Sequence, residues 1–208
     1  MHNHHLLKNS FLFCLISLLF ACASPAPLPQ IKSSAEHQAQ LGALQNWQIK
    51  GRLGFKSPDE TFSASLNWRQ VRENYQLKLS SVLGTSLLDM RGEPGNVELE
   101  LDDQHYQDSD PARLIWRITG WHIPVADFPR WIKGQIVSSD TVQTSAQGWP
   151  QQIEPQCLAC SAWLITYDKY QLLDSDAGDE LWLPHKIVLK NSASQSTIII
   201  RVNTWLNN

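Results

Sequence analysis

Thr61-Phe62-Ser63-Ala64-Ser65-Leu66-Asn67-Trp68-Arg69 is a run in which every second residue is apolar and every intervening one polar. Successive side chains of an extended strand point to opposite faces, so this alternation predicts a strand with one greasy and one wet side. The same period holds outward in both directions. Upstream, Trp47, Ile49, Leu53 and Phe55 alternate with Gln48, Lys50 and Arg52. Downstream, Tyr75, Leu77 and Leu79 stand against Gln76, Lys78 and Ser80, and Val97, Leu99 and Leu101 against Glu98, Glu100 and Asp102. Ser57-Pro58-Asp59 and Pro94-Gly95-Asn96 have the composition of the intervening turns. Strands with one solvated face pair antiparallel, because parallel sheets are covered on both sides.

The period changes around these strands. Before them, Ser33 and Glu36 have capping-box spacing, and Leu41 and Leu44 give a helix its apolar edge. After them, Asp110-Pro111 reads as an N-cap followed by a proline in the first turn, and Gly120 as the stop. Leu114, Ile115, Ile118 and nearby Trp121 form the apolar stripe, with Arg113 and Arg117 on another face. A second short helix is predicted between Pro124 and Gly134, with Val125, Phe128, Trp131 and Ile132 as its apolar set. Strands resume near Thr141 and are predicted at 149–156, 162–167, 186–190 and 197–205. About ten or eleven strands must then share one domain. A curved antiparallel sheet can turn its greasy face inward and be covered by the helices. Periodicity alone is compatible with either a solid interior or a hollow one.

The start of the chain has a different character. A polar segment with one basic residue, Lys8, leads into an apolar run from Phe11 to Phe20, followed by Ala21-Cys22. The run is about ten residues, too short for a bilayer that needs about twenty. A small residue just before a cysteine is the pattern of a bacterial lipoprotein processing site, although Phe20 is bulky for it. Cys22 is therefore the expected lipidation site. Residues 1–21 are the expected leader, 22–32 a lipidated tether with three prolines, and 33–208 a single domain.

The full chain carries 17 basic and 20 acidic residues, a net charge of −3, which gives no reason to expect nucleic acid as a partner. Cys157 and Cys160 form a C-x-x-C pair, expected as a local disulfide or two quiet thiols in an oxidising compartment. A redox pair should head a helix, whereas this one precedes the strand-like Trp163-Leu164-Ile165. A zinc site would need two further ligands, and His37, His105, His122 and His185 are scattered. Asp174-Ser175-Asp176-Ala177-Gly178-Asp179 has its glycine one place early for a calcium loop and reads as a solvated turn. Neither a G-x-S-x-G elbow nor a phosphate-binding Gly-rich loop ending in lysine and Ser/Thr is present. No catalytic residue, metal or cofactor is expected.

The segment from Trp47 to Gly134 resembles the LolB family of outer-membrane lipoprotein receptors. The resemblance rests on Tyr75-Gln76-Leu77-Lys78-Leu79, Leu83-Gly84-Thr85-Ser86-Leu87-Leu88 and Pro94-Gly95-Asn96-Val97. Thr119-Gly120-Trp121-His122-Ile123-Pro124, Trp131-Ile132-Lys133-Gly134 and Asn203-Thr204-Trp205 extend it in order. The Cys157–Cys160 pair is not expected of that family. The resemblance implies an incomplete antiparallel β-barrel whose hydrophobic cavity lies under a helical lid. It implies a monomeric receptor that takes acylated lipoproteins from the periplasmic carrier LolA and incorporates them into the outer membrane. Ala23, rather than aspartate, after Cys22 also points by resemblance to that membrane.

The cavity candidates are the inward-phase residues Ile49, Leu53, Phe55, Phe62, Leu66, Trp68, Leu77, Leu79, Leu88, Met90, Val97, Leu99, Ile198 and Ile200. Leu114, Ile118, Trp121 and Trp131 are the lid candidates. Leu83, between two predicted strands, is expected at a hairpin tip, where the resemblance places a protruding residue that helps deliver cargo to the bilayer. The competing expectation is a lipocalin-like carrier or another lipid-binding envelope lipoprotein.

Overall fold

The computed structural model describes residues 34–157, 160, 162–173 and 180–207. The leader, Cys22, the Ser33 cap and the 174–179 turn lie outside these residues. After helix α1 (Ser34–Ala43) comes a meander of six strands: β1 (Asn46–Lys56), β2 (Thr61–Val71), β3 (Asn74–Ser80), β4 (Ser86–Glu93), β5 (Asn96–Leu101) and β6 (Gln104–Asp108). Helix α2 (Pro111–Thr119), a 3₁₀ turn (Val125–Asp127) and helix α3 (Phe128–Lys133) follow. A second meander completes the fold: β7 (Thr141–Thr144), β8 (Pro150–Glu154), β9 (Trp163–Leu172), β10 (Trp182–Asn191) and β11 (Ser196–Asn207).

All eleven strands form one antiparallel sheet in the order β6-β5-β4-β3-β2-β1-β11-β10-β9-β8-β7. The two meanders join where β1 pairs with β11, from Trp47 opposite Asn207 to Lys56 opposite Thr197. Trp47 stitches this join on the inner face, with its ring 5.1 Å from that of Trp68 and 5.5 Å from that of Trp205. The register shifts between Lys50 and Gly51, and there β1 runs so close to β11 that a Cβ on Gly51 would lie 2.0 Å from the Arg201 carbonyl oxygen. The bulge lets the long β1 bend with the curved sheet.

The order has a direct consequence for the helices. β6 and β7 are the two free edges of the sheet, yet they are consecutive in the chain. Residues 109–140 therefore have to cross the open side from one edge to the other, and they carry α2 and α3 with them.

Each helix begins and ends as its residues dictate. Asp110 caps α2 by accepting from the amides of Ala112 at 2.8 Å and Arg113 at 3.2 Å. Gly120 ends it in the left-handed region at φ 74°, with its amide donating to the Trp116 carbonyl. Gly134 closes α3 in the same way at φ 75°. Asp108, at the end of β6, receives Arg113 and Arg117 from the outer face of α2, and the Arg113 contact holds its carboxyl down at about 2.

The predicted elements are present, though not all with the predicted bounds: β10 begins at Trp182 rather than at residue 186. β6 carries no apolar alternation (Gln104-His105-Tyr106-Gln107-Asp108), so an edge strand of this kind leaves little trace in periodicity. β9 runs to Leu172, past the predicted end at residue 167, because Lys169 takes a left-handed conformation (φ 57°) that breaks the alternation without ending the pairing to β10.

Candidate functional site

The concave face of the sheet and the underside of the crossing segment meet in two apolar clusters. The larger gathers inner-face residues of β1 to β3 and β8 to β11 with α1 and α3. The smaller joins Met90, Val97 and Leu99 on β4 and β5 to Leu114 and Ile115 on α2. All the predicted cavity residues face inward. Ile49, Phe55, Leu66, Trp68, Leu79, Met90, Val97, Leu99, Ile198 and Ile200 are buried. Leu53, Phe62, Leu77 and Leu88 are partly buried against them. Of the lid candidates, Leu114 and Trp131 are fully buried, and Ile118 and Trp121 are partly so.

Four partly buried residues touch both clusters: Tyr75, Leu88, Trp121 and Ile123. They form a seam between the two, under the segment that links α2 to α3. Trp121 stacks on Phe55 with ring centroids 4.0 Å apart and so holds this segment down on β1. In this arrangement the crossing segment lies against the sheet and the greasy face packs on its own side chains. Contacts along the seam are mostly apolar, individually weak and without direction.

One polar group interrupts that surface. The Tyr75 ring lies across Gly92 of the neighbouring strand, where a Cβ would come within 2.1 Å of the ring and 2.6 Å of the hydroxyl. Gly92 is in phase with Leu88 and Met90, so the phenol rests along the concave face. Its hydroxyl is buried and has no hydrogen-bond partner, and burial pushes its pKa up to about 12. Leaving a buried hydroxyl unpaired costs about 1–3 kcal/mol.

The lid is fastened at its far end by polar contacts to α1. Lys133, buried at the end of α3, donates to the carbonyls of Leu41 at 2.7 Å and Leu44 at 2.9 Å, at the C-terminal end of α1. Such a site suits a cation, although burial draws the ammonium down to about 8. Gln38 receives the Ile136 amide at 2.9 Å, and the buried His37 reaches the Trp182 carbonyl at 2.8 Å. Sequence periodicity gives no sign of Lys133 or His37, because a single polar residue inside an apolar set looks like a break in it.

Away from the interior, the β3–β4 connection holds Val82 and Leu83 out in solvent, 78% and 91% exposed. The tip is ordered by its own backbone. Ser81 and Thr85 pair across it at 2.9 Å, the Ser81 hydroxyl accepts from the amides of Leu83 and Thr85, and Gly84 turns at φ 85°. Leu87, at the bulge that follows, is also exposed. These side chains stay in water because the loop presents them there.

Cys157 and Cys160 are joined as a disulfide, with Cα atoms 4.9 Å apart. The Asp127 carboxylate lies 3.8 and 3.5 Å from their sulfurs, a third donor that spacing alone does not reveal. Two sulfurs bonded to each other do not act as thiolate ligands, so this cluster is structural in the form described. Among the described residues, no helix is long and apolar enough to cross a membrane.

The family model described as "Outer membrane lipoprotein LolB" matches residues 45–205. A protein of Cellvibrio japonicus named outer-membrane lipoprotein LolB is 36% identical over 197 residues, covering 91% of this chain and 95% of its own. Its namesake in Tolumonas auensis is 31% identical over 199 residues, covering 94% of each chain. Among solved structures, a putative outer membrane lipoprotein-sorting protein domain from Vibrio parahaemolyticus superposes with a TM-score of 0.51 at 9% identity, over 83% of this chain and 90% of that one. A LolA superfamily protein from Nitrosomonas europaea does so with a TM-score of 0.50 at 10% identity, over 87% and 94%. At such low identity these structures speak to the fold alone.

Proposed function

The chain belongs to the LolB family of outer-membrane lipoproteins, and on that premise we propose that it is a membrane-tethered receptor for other lipoproteins. It takes their acyl chains from a LolA-type periplasmic carrier into the space between sheet and lid, then releases them into the outer membrane. The observation that carries this reading is the apolar concave face, spanned from edge to edge by a segment that the sheet order forces across it. An acyl chain in water loses about 0.8 kcal/mol for each exposed methylene. Parting the seam exposes apolar surface that the chain then covers again, so exchange between two such interiors needs no nucleotide. A lining of carbon accepts cargo of varied protein sequence.

Two further features belong to the proposal. Cys22, modified with lipid after removal of residues 1–21, fixes residues 33–208 to the membrane through the proline-containing tether. Leu83 is the residue that meets the bilayer during release. Its exposure on an ordered loop supports this, because no entropy is lost in forming the tip when it inserts. Leu83→Glu is expected to leave uptake of cargo from the loaded carrier unchanged and to slow its delivery to phospholipid vesicles at least tenfold, followed with a lipoprotein labelled on its protein part. Delivery by Leu83→Glu at the wild-type rate rules out that role.

A further inference from the structure

Resting on the acyl-chain reading above, we propose that the Tyr75 hydroxyl is the polar anchor of the cavity and donates a hydrogen bond to a carbonyl oxygen at the head of the cargo's lipid, an ester of its diacylglycerol or its amide. Three independent observations meet at this atom. It is buried and unpartnered, at a seam whose other residues are Leu88, Trp121 and Ile123. Its ring touches both apolar clusters, together with Leu88, Trp121 and Ile123, where the crossing segment has to part from the sheet. Gly92 leaves the space that lets the ring lie along the concave face, and any larger residue would displace it.

The chemistry selects the ligand group. A phenol is donor and acceptor, and a phenol pushed up to about 12 stays protonated throughout the physiological range and therefore has a proton to offer. Alkyl chains can offer it nothing. The polar atoms of a lipoprotein's lipid that come nearest to the hydrocarbon are the carbonyls of its ester and amide bonds, which are acceptors. The indoles of Trp131, Trp149 and Trp163 are also unpartnered, but Trp131 and Trp163 belong to the larger cluster alone and Trp149 to neither, so none of them bridges the two at the seam. Tyr75 would thus set how deep a chain enters: hydrocarbon beyond the anchor, the polar head at the seam.

Tyr75→Phe removes one oxygen and keeps the ring. The test uses the whole mature chain and a bound hydrocarbon fluorophore, displaced by either methyl palmitate or an alkane of equal length. Wild type is expected to show an ester-to-alkane affinity ratio about fivefold above that of Tyr75→Phe, the worth of one hydrogen bond. Tyr75→Phe is expected to bind the alkane as before, with an unfolding midpoint at or above that of wild type. An equal ester preference in both proteins overturns the proposal, and so does a clearly lowered midpoint, which would show that the hydroxyl serves the fold. Failure of wild type to bind either competitor would instead contradict the cavity reading on which the proposal rests.

Discussion

At Gly51 there is no room for a methyl group. A Cβ there would sit 2.0 Å from the carbonyl oxygen of Arg201, a backbone atom of the paired strand that cannot rotate away. Three residues on, Gly54 has its nearest neighbour, the Ile199 carbonyl oxygen, 4.0 Å away. The two glycines look equivalent in the sequence, and the structure separates them. Gly51→Ala is expected to destabilise the fold by about 2 kcal/mol or more, the range of overpacking in a rigid setting. Gly54→Ala should change stability by under about 1 kcal/mol. Urea unfolding of the two variants checks this, and similar midpoints for both would show that the close approach at the bulge is not tight. The same contrast marks what was legible at this scale. Leu83 stood out because a leucine between two strands has a position with respect to a turn. Gly51, Gly92 and Lys133 did not, because each owes its role to a neighbour distant in the chain: Arg201, Tyr75, and the carbonyls that end α1.

Among the elements, the strands were the most legible, since a half-buried antiparallel strand records its burial in every second residue. Where burial does not alternate, as at the edge strand β6 or past Lys169 in β9, the record fails although the backbone still pairs. The docking of α1 was not legible, because the contacts that hold it are polar and long-range. They make that docking sensitive to acid. Burial lowers the pKa of His37, which ties α1 to the Trp182 carbonyl, and, away from α1, that of His185, bonded to the Val202 carbonyl across β10 and β11, below the ordinary 6.5. The unfolded chain then takes up protons at these sites before the folded one does, so stability falls as pH drops through 6.5 towards the folded values. His37→Asn, which keeps a donor and cannot charge, should flatten that slope between pH 7 and 5. Denaturant midpoints across this range test it, and an unchanged slope would assign the effect elsewhere.

For the whole molecule, connectivity decides where the helices lie. A linear sheet order that places consecutive strands β6 and β7 at opposite edges obliges the chain to cross its own open face. The crossing segment is apolar beneath, with Leu114, Phe128, Trp131 and Ile132 turned inward, and joins the sheet along a seam of partly buried carbon. Periodicity gave the greasy face and the helices, yet could not decide between a solid and a hollow interior, since both require the same alternation. The most direct test is to mix the mature chain lacking its own lipid with carrier loaded with an acylated lipoprotein and to follow the cargo while recording tryptophan emission. The account predicts that acylated cargo leaves the carrier and co-migrates with this chain, that emission from the interior tryptophans shifts as it does so, and that cargo stripped of its acyl chains does neither. Cargo that stays on the carrier, or transfers equally well without acyl chains, would contradict it.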